Sequence, residues 1–308
     1  IRSLRFRRFS VMRRSRPTLA ALVVTGMFSA FPGVSSAKDL SGLYIDLLTG
    51  NPPVASMVLT DPFGRRTGIN LRLGSLDDDA AYFHEIPDSN AGYEGSPAND
   101  ETGEAAATGR ISVGIFSAVS SGAYRVTIKG IETRNFSLDI GPRDSNGGFP
   151  ILPEIPGAIA AGETQEFTFN YSPQPGSTMT IAKQVTFATL RTALRTWRQL
   201  DQLGDAKFIA KLDKTLAEGE KALTGKGGKD RENRKEAVEK LRKFVRKIEK
   251  AFKSEKDDDP NEDEDKDHKD KEQDKPQKRF VSEPAFRSLK GDAEILIRNL
   301  GGKPGEDH

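Results

Sequence analysis

The stretch SGAYRVTIKGIETRNFSLDI, residues 121–140, holds two short runs that decide how the first half of the chain is read. In AYRVTIKG, Tyr124, Val126 and Ile128 fall on one side, and Arg125, Thr127 and Lys129 on the other. In NFSLDI the same alternation picks out Phe136, Leu138 and Ile140. A period of two is that of a strand with one buried face, because successive side chains point to opposite sides of a sheet. Working outward, ISVGIF repeats the pattern with Ile111, Val113 and Ile115, and EFTFNY with Phe167, Phe169 and Tyr171. LYIDLL (43–48) and VASMVLT (54–60) alternate less cleanly and are further candidates. Turn chemistry separates the runs. Asp61-Pro62-Phe63-Gly64 suits a type I turn. Gly92, Gly95, Pro97, Asn99 and Gly103 read as one long loop over roughly 77–109, and Asp144-Ser145-Asn146-Gly147-Gly148 breaks the chain again. Residues 40–175 are therefore expected to form an antiparallel β-sandwich.

Beyond Pro173-Gln174-Pro175-Gly176 the period changes. Phe187, Leu190, Leu194 and Trp197 lie three or four residues apart. So do Ile209, Leu212, Leu216, Gly219 and Leu223, then Val238, Leu241, Val245, Ile248 and Phe252, and finally Phe286, Leu289, Ala293, Leu296 and Leu300. Four apolar stripes at this spacing predict four amphipathic helices, each needing a partner for its stripe, and a small four-helix bundle over 185–255 plus 280–301 satisfies all of them. Gly204-Asp205 ends one helix and caps the next, Gly225-Lys226-Gly227-Gly228 separates the second from the third, and Ser282 with Pro284 opens the last. Between the third and fourth stripes, Asp257 to Lys275 carries eleven acids and four lysines with almost nothing apolar. Such a run does not bury enough surface to offset its ordering entropy, so a long disordered acidic insertion over 256–279 is expected. The fold class is multidomain α and β.

The start of the chain reads as an export signal. Residues 1–37 carry seven arginines and no acid, Leu19 to Phe31 is mostly apolar, and Ser35-Ser36-Ala37 supplies the small residues that signal peptidase requires. The apolar run is too short to span a bilayer, and no transmembrane segment is expected after cleavage near Ala37. The formal net charge of +2 becomes 2 − 7 = −5 once those arginines are removed, which disfavours nucleic acid as a partner. The chain has no cysteine, so neither disulfides nor a lipoprotein anchor contributes. Three histidines leave little material for a metalloenzyme or a catalytic triad.

Candidate sites are few. Asp263, Asp265 and Asp267 occupy positions 1, 3 and 5 of a calcium loop, with Asp274 at position 12; His268 stands where glycine is needed, and Asp274 is one carbon shorter than the usual glutamate. Weak, non-specific Ca²⁺ binding fits this composition better than a caged ion, and no other cofactor is expected. Tyr82, Phe83 and Tyr93 sit in or beside the long loop. They read either as aromatics that stack on sugar faces or as a cover for one end of the sandwich core. His84-Glu85 after Asp77-Asp78-Asp79 lacks a second histidine nearby and reads as a solvated acidic turn. In RENRKEAVEKLRKFVRKIEKAFK, Glu236–Lys240 and Glu239–Lys243 are spaced as ion pairs on a solvated helix face. There is no G-x-S-x-G, P-loop, dinucleotide fingerprint or H-E-x-x-H.

The helical half, through LRTALRTWRQL, FIAKLDKTLAEGEKAL, RKEAVEKLRKFVRKIEKAF and FVSEPAFRSLKGDAEILIRNL, resembles the FIMAH domain, a small helical module of secreted bacterial proteins. The matching core is Leu241, Phe244 and Ile248 with Val245 beside it, and the matching cap is Ser282-Glu283-Pro284. The acidic insertion is longer than that family's loop, and the hydrolase or lyase such modules often accompany is missing. The β half, through Ser121-Gly122-Ala123-Tyr124 to Ile128 and Asn135-Phe136-Ser137-Leu138, is similar to Ig-like and pre-peptidase C-terminal-type extracellular sandwiches. These resemblances imply a non-catalytic, exported accessory or adhesion-type protein that contacts an extracellular polymer or protein. Two alternatives stand beside it: part of an extracellular polysaccharide-active enzyme, and a calcium-responsive module.

Overall fold

The alternating runs become strands of two antiparallel sheets. The computed structural model describes residues 39–95, 108–117, 119–224, 230–256 (the backbone alone for 254–256) and 280–305. The strands are β1 (Gly42–Gly50), β2 (Ala55–Thr60), β3 (Arg66–Ile69), β4 (Tyr82–His84), β5 (Ser89–Gly95), β6 (Thr108–Ile115), β7 (Gly122–Gly130), β8 (Arg134–Arg143), β9 (Ile155–Ile159), β10 (Thr164–Tyr171) and β11 (Ile181–Lys183). One sheet has five strands in the order β5-β6-β1-β8-β9, the other six in the order β11-β10-β7-β2-β3-β4. The two runs of 121–140 are neighbours in sequence yet lie in different sheets, β7 in one and β8 in the other. Their apolar sets nevertheless meet. Leu43, Ile45, Leu47, Leu138 and Ile140 of the five-stranded sheet share one core with Met57, Leu59, Val126, Ile128 and Phe167 of the six-stranded sheet. Each such side chain contributes about 1.5–3 kcal/mol through burial.

Local chemistry shapes the connections. Asp61 is buried between β2 and β3; its carbonyl accepts from Gly64 N at 3.0 Å, and its carboxylate accepts from Phe63 N, Arg65 N and Arg65 Nε. Tyr124 donates to Ser120 O at 2.9 Å and Tyr171 to Arg143 O at 2.6 Å, tying two strand ends to their loops. The expected loop over 77–109 is not one loop. It holds a 3-10 turn at Asp79–Ala81, β4, β5 and the start of β6. Gly92 and Gly95 are strand residues, because β5 pairs with β6 from Ser89↔Ile115 to Gly95↔Gly109 and turns Ala91 and Tyr93 inward. Backbone pairing and two inward side chains outweigh a turn-rich composition here.

The stripes become α1 (Phe187–Gln199), α2 (Ala206–Leu223), α3 (Asp230–Lys256) and α4 (Glu283–Asn299). Thr186 and Thr189 form a capping box on α1, Asp205 caps α2, and Ser282 caps α4 with Pro284 in its first turn. Trp197, Leu212, Leu216, Leu241, Phe244, Ile248, Leu289 and Ala293, drawn from all four helices, share one apolar core. The run before α4 is pinned to the α1–α2 connection: Leu203 bridges Val281, Gly204 N donates to Phe280 O, and Ser282 N donates to Gln202 O. The expected pairs Glu236–Lys240 and Glu239–Lys243 are replaced. Lys240 reaches Glu218 on α2 at 2.8 Å and Arg242 takes Glu239 at 2.8 Å, because helix packing brings a carboxylate of α2 within reach.

Sheets and helices are joined. Helices α1 and α4 pack against β9, an edge strand, and Ala158 of β9 belongs to the helical core. At the facing edge of the other sheet, Lys183 of β11 pairs with Asp292 of α4 at 2.9 Å, the two side chains being 14% and 9% exposed. A strand edge presents unpaired backbone groups, and covering one with a helix protects it. The opening arginine-rich segment and the acidic run lie outside the described residues.

Candidate functional site

The outer face of the five-stranded sheet carries a cluster of three aromatic rings on a floor of glycines. Tyr44 lies at the centre of that face on β1, directly opposite Gly114 of β6 on one side and Gly141 of β8 on the other. Phe116, just after β6, puts its ring over Gly114, and Phe149, in the loop after β8, puts its ring over Gly141. Tyr44 itself covers Gly42. A β-carbon at position 114 or 141 would collide with the phenylalanine ring above it, so glycine at both positions makes room for the cluster. Tyr44 contacts Phe116 at 5.9 Å between centroids (66° between planes) and Phe149 at 5.9 Å (46°). Aromatic pairs at such distances and tilts contribute about 0.5–1.5 kcal/mol each.

Two of the rings remain open to solvent, Phe116 at 52% and Phe149 at 53% exposed. Ile151, two residues past Phe149, is 95% exposed. Isolated exposed apolar side chains are ordinary, but a cluster of large ones on one face marks an interaction surface. Polar groups flank the rings along the same strands. Asp46 accepts from Ser112 Oγ at 2.6 Å and lies 3.9 Å from Arg110, and Ser112 and Asp139 stand opposite Asp46 in the neighbouring strands. Ser117 Oγ donates to Asp88 at 3.0 Å beside Phe116. On the far side of Phe149 a cavity of about 440 Å³ opens, lined by Arg143, Asp144, Tyr171, Gln174 and Ser177 among others. Burial pushes the Tyr171 phenol up to about 12, so it stays protonated as the donor to Arg143 O. Apolar faces ringed by a few oriented polar groups bind ring-shaped, hydroxylated molecules: the rings take the C–H face and the polar groups take the hydroxyls.

The aromatics singled out from the sequence are placed elsewhere. Tyr82 and Tyr93 pack partly buried against the sandwich core. Tyr82 donates to Leu76 O at 3.0 Å and stacks on His84. Tyr93 Oη lies 2.9 Å from Asn51 Oδ1 and 3.3 Å from Gly50 O, and desolvation raises its pKa above the ordinary tyrosine value. Phe83 lies under the Arg66 guanidinium, 4.1 Å from the ring centroid, and Arg66 in turn holds Glu85 at 2.5 Å, keeping that carboxyl below its usual range. Asp78 caps the 3-10 turn through Ala80 N. Asp263, Asp265, Asp267 and Asp274 lie outside the described residues. Among the described residues no group of three or more His, Cys, Asp or Glu is placed to hold a metal ion.

The signal that would have found the cluster was present. Tyr44 stands among outward residues of β1, and the glycines of ISVGIF and of the segment ending β8 interrupt their strands opposite it. Reading it required the register, which brings positions 44, 114 and 141 into one row.

Fold and surface together define the class: a two-sheet antiparallel sandwich with four helices on one edge and an aromatic surface on an open sheet face. No family model matches the chain, and neither does any curated protein or solved structure.

Proposed function

We propose that this is an exported, non-catalytic accessory protein that holds an extracellular glycan on the outer face of its five-stranded sheet. The observation that carries the reading is the trio Phe116, Tyr44 and Phe149 on a glycine floor, with the two phenylalanines half open to solvent. A side chain held outward at the expense of local strand propensity is accounted for by contact with something outside the chain. The rings are tilted by 66° and 46°, which suits a curved or twisted polymer better than a flat crystalline sheet. The four helices, read as a FIMAH-like bundle, brace that same sheet at its β9 edge. Export, with cleavage near Ala37, rests on the arginine-rich and apolar opening. No helix of the described residues is long and apolar enough to cross a membrane. The test is affinity electrophoresis of the full chain through gels cast with different soluble polysaccharides. Retardation by at least one glycan, abolished in Phe116→Ala/Phe149→Ala and kept in Phe83→Ala, is the expected result. Migration unchanged in every gel would refute the reading.

A further inference from the structure

We infer that the cavity between α3 and the turn after α4 is a second binding site, selective for phosphate-type oxyanions. It measures about 600 Å³ and is lined by Arg231, Arg234, Lys235, Arg242 and Lys303, with Val238 and Leu300 as its apolar floor and Glu239 as its one acid among the described residues. At about 100° per residue, positions 231, 234, 235, 238 and 242 share one stripe of α3, while Glu232, Glu236 and Glu239 fall to one side of it.

The wall is built. The chain leaves α4 through Gly301, which holds the left-handed conformation, and Gly302 then lies so close to Val238 that a β-carbon there would collide with it. Arg242 fixes the far end by donating Nη2 to Lys303 O at 2.9 Å, while its Nη1 takes Glu239 at 2.8 Å. Glu239 is thereby occupied. Arg231, Arg234 and Lys235 form no ion pair among the described residues and are exposed at the cavity mouth. Further along α3, Lys240 pairs with Glu218 and Glu249 with Lys290. Like charges three and four residues apart repel each other by a few tenths of a kcal/mol per pair. Three such cations gathered at one cavity are relieved by a multiply charged anion, and two guanidinium forks suit the paired oxygens of a phosphate group better than a single carboxylate. This site stands on different residues and a different element from the aromatic cluster and does not depend on it.

The probe is inorganic pyrophosphate, titrated by calorimetry into the full chain at low salt, with vesicles of phosphatidylcholine alone or mixed with phosphatidylglycerol as a second arm. One pyrophosphate per chain is expected, weakened about tenfold or more by Arg231→Ala/Arg234→Ala/Lys235→Ala. Lys207→Ala/Lys214→Ala/Lys221→Ala removes the same charge from α2 and is expected to leave binding within about twofold, because none of these lysines lines the cavity. Arg231→Gln/Arg234→Gln serves as a milder variant should the first lose its fold. Binding to the anionic vesicles but not to pyrophosphate, lost in the α3 variants, assigns the phosphate to a lipid headgroup and upholds the site. Absence of binding in both arms, or equal weakening by the α2 and α3 variants, overturns it.

Discussion

Two sets of three aromatics sit in the sandwich, and they differ in what satisfies them. Tyr82, Phe83 and Tyr93 are met by the protein itself: a carbonyl for one hydroxyl, an asparagine and a second carbonyl for the other, a guanidinium over the phenylalanine. Tyr44, Phe116 and Phe149 are met chiefly by one another and by bare glycine backbone, and two of them turn half their surface to water. The difference separates aromatics that complete a fold from aromatics that the fold displays. Strand register decides it, since one step along a strand moves a side chain to the other face.

The contrast predicts a graded series of effects. Largest are truncations in the two apolar cores. Leu47→Ala beneath the sheet and Leu241→Ala among the helices are each expected to cost about 2–5 kcal/mol in urea denaturation. Both are expected to shift a single transition, because β9 and Lys183 bind the helices to the sheets; two separate transitions would show that the parts unfold independently. Next, Lys183→Met leaves Asp292 buried without its cation and is expected to cost about 2–3 kcal/mol, most of it recovered in Lys183→Met/Asp292→Leu.

Alkaline pH acts through the buried phenols. Tyr171 is pushed up to about 12, and burial also raises Tyr124, helped by the nearby charge of Asp61. The unfolded chain releases these protons near 10, so it binds fewer protons than the folded chain above that pH. Stability is therefore fully present below pH 10 and falls as pH rises through 10 toward 12, which melting curves over that range will show. Smaller still, Tyr93→Phe removes one hydroxyl from the Asn51 and Gly50 contacts and is expected to cost about 1 kcal/mol without altering glycan retention.

Much of the fold was legible before any coordinates. The strands containing Ile111, Tyr124, Phe136 and Phe167 alternate cleanly because one face is core and the other is water. The helical stripes are equally plain, and the caps Asp205 and Ser282 stand where local chemistry places them. What escaped was short or glycine-rich: β3 and β4, with four and three residues, are too brief to show a period, and β5 hides among Gly92 and Gly95. The aromatic cluster escaped for a different reason. Its members lie 72 and 33 residues apart in sequence, and no local pattern joins them. Only the pairing of β1 with both β6 and β8 sets Tyr44 between Gly114 and Gly141. The ion pairs of α3 were misplaced likewise, since Lys240 finds its carboxylate on another helix.

The displayed trio is tested most directly by one double substitution read two ways. Phe116→Ala/Phe149→Ala is measured side by side with the parent for thermal melting and for retention on the glycan that retards the parent. A melting point lowered by no more than the equivalent of about 1 kcal/mol, as expected for half-exposed side chains, together with loss of retention, is what the division between completing and displayed aromatics requires. Retention equal to the parent's, or a collapse of the fold comparable to Leu47→Ala, would contradict it.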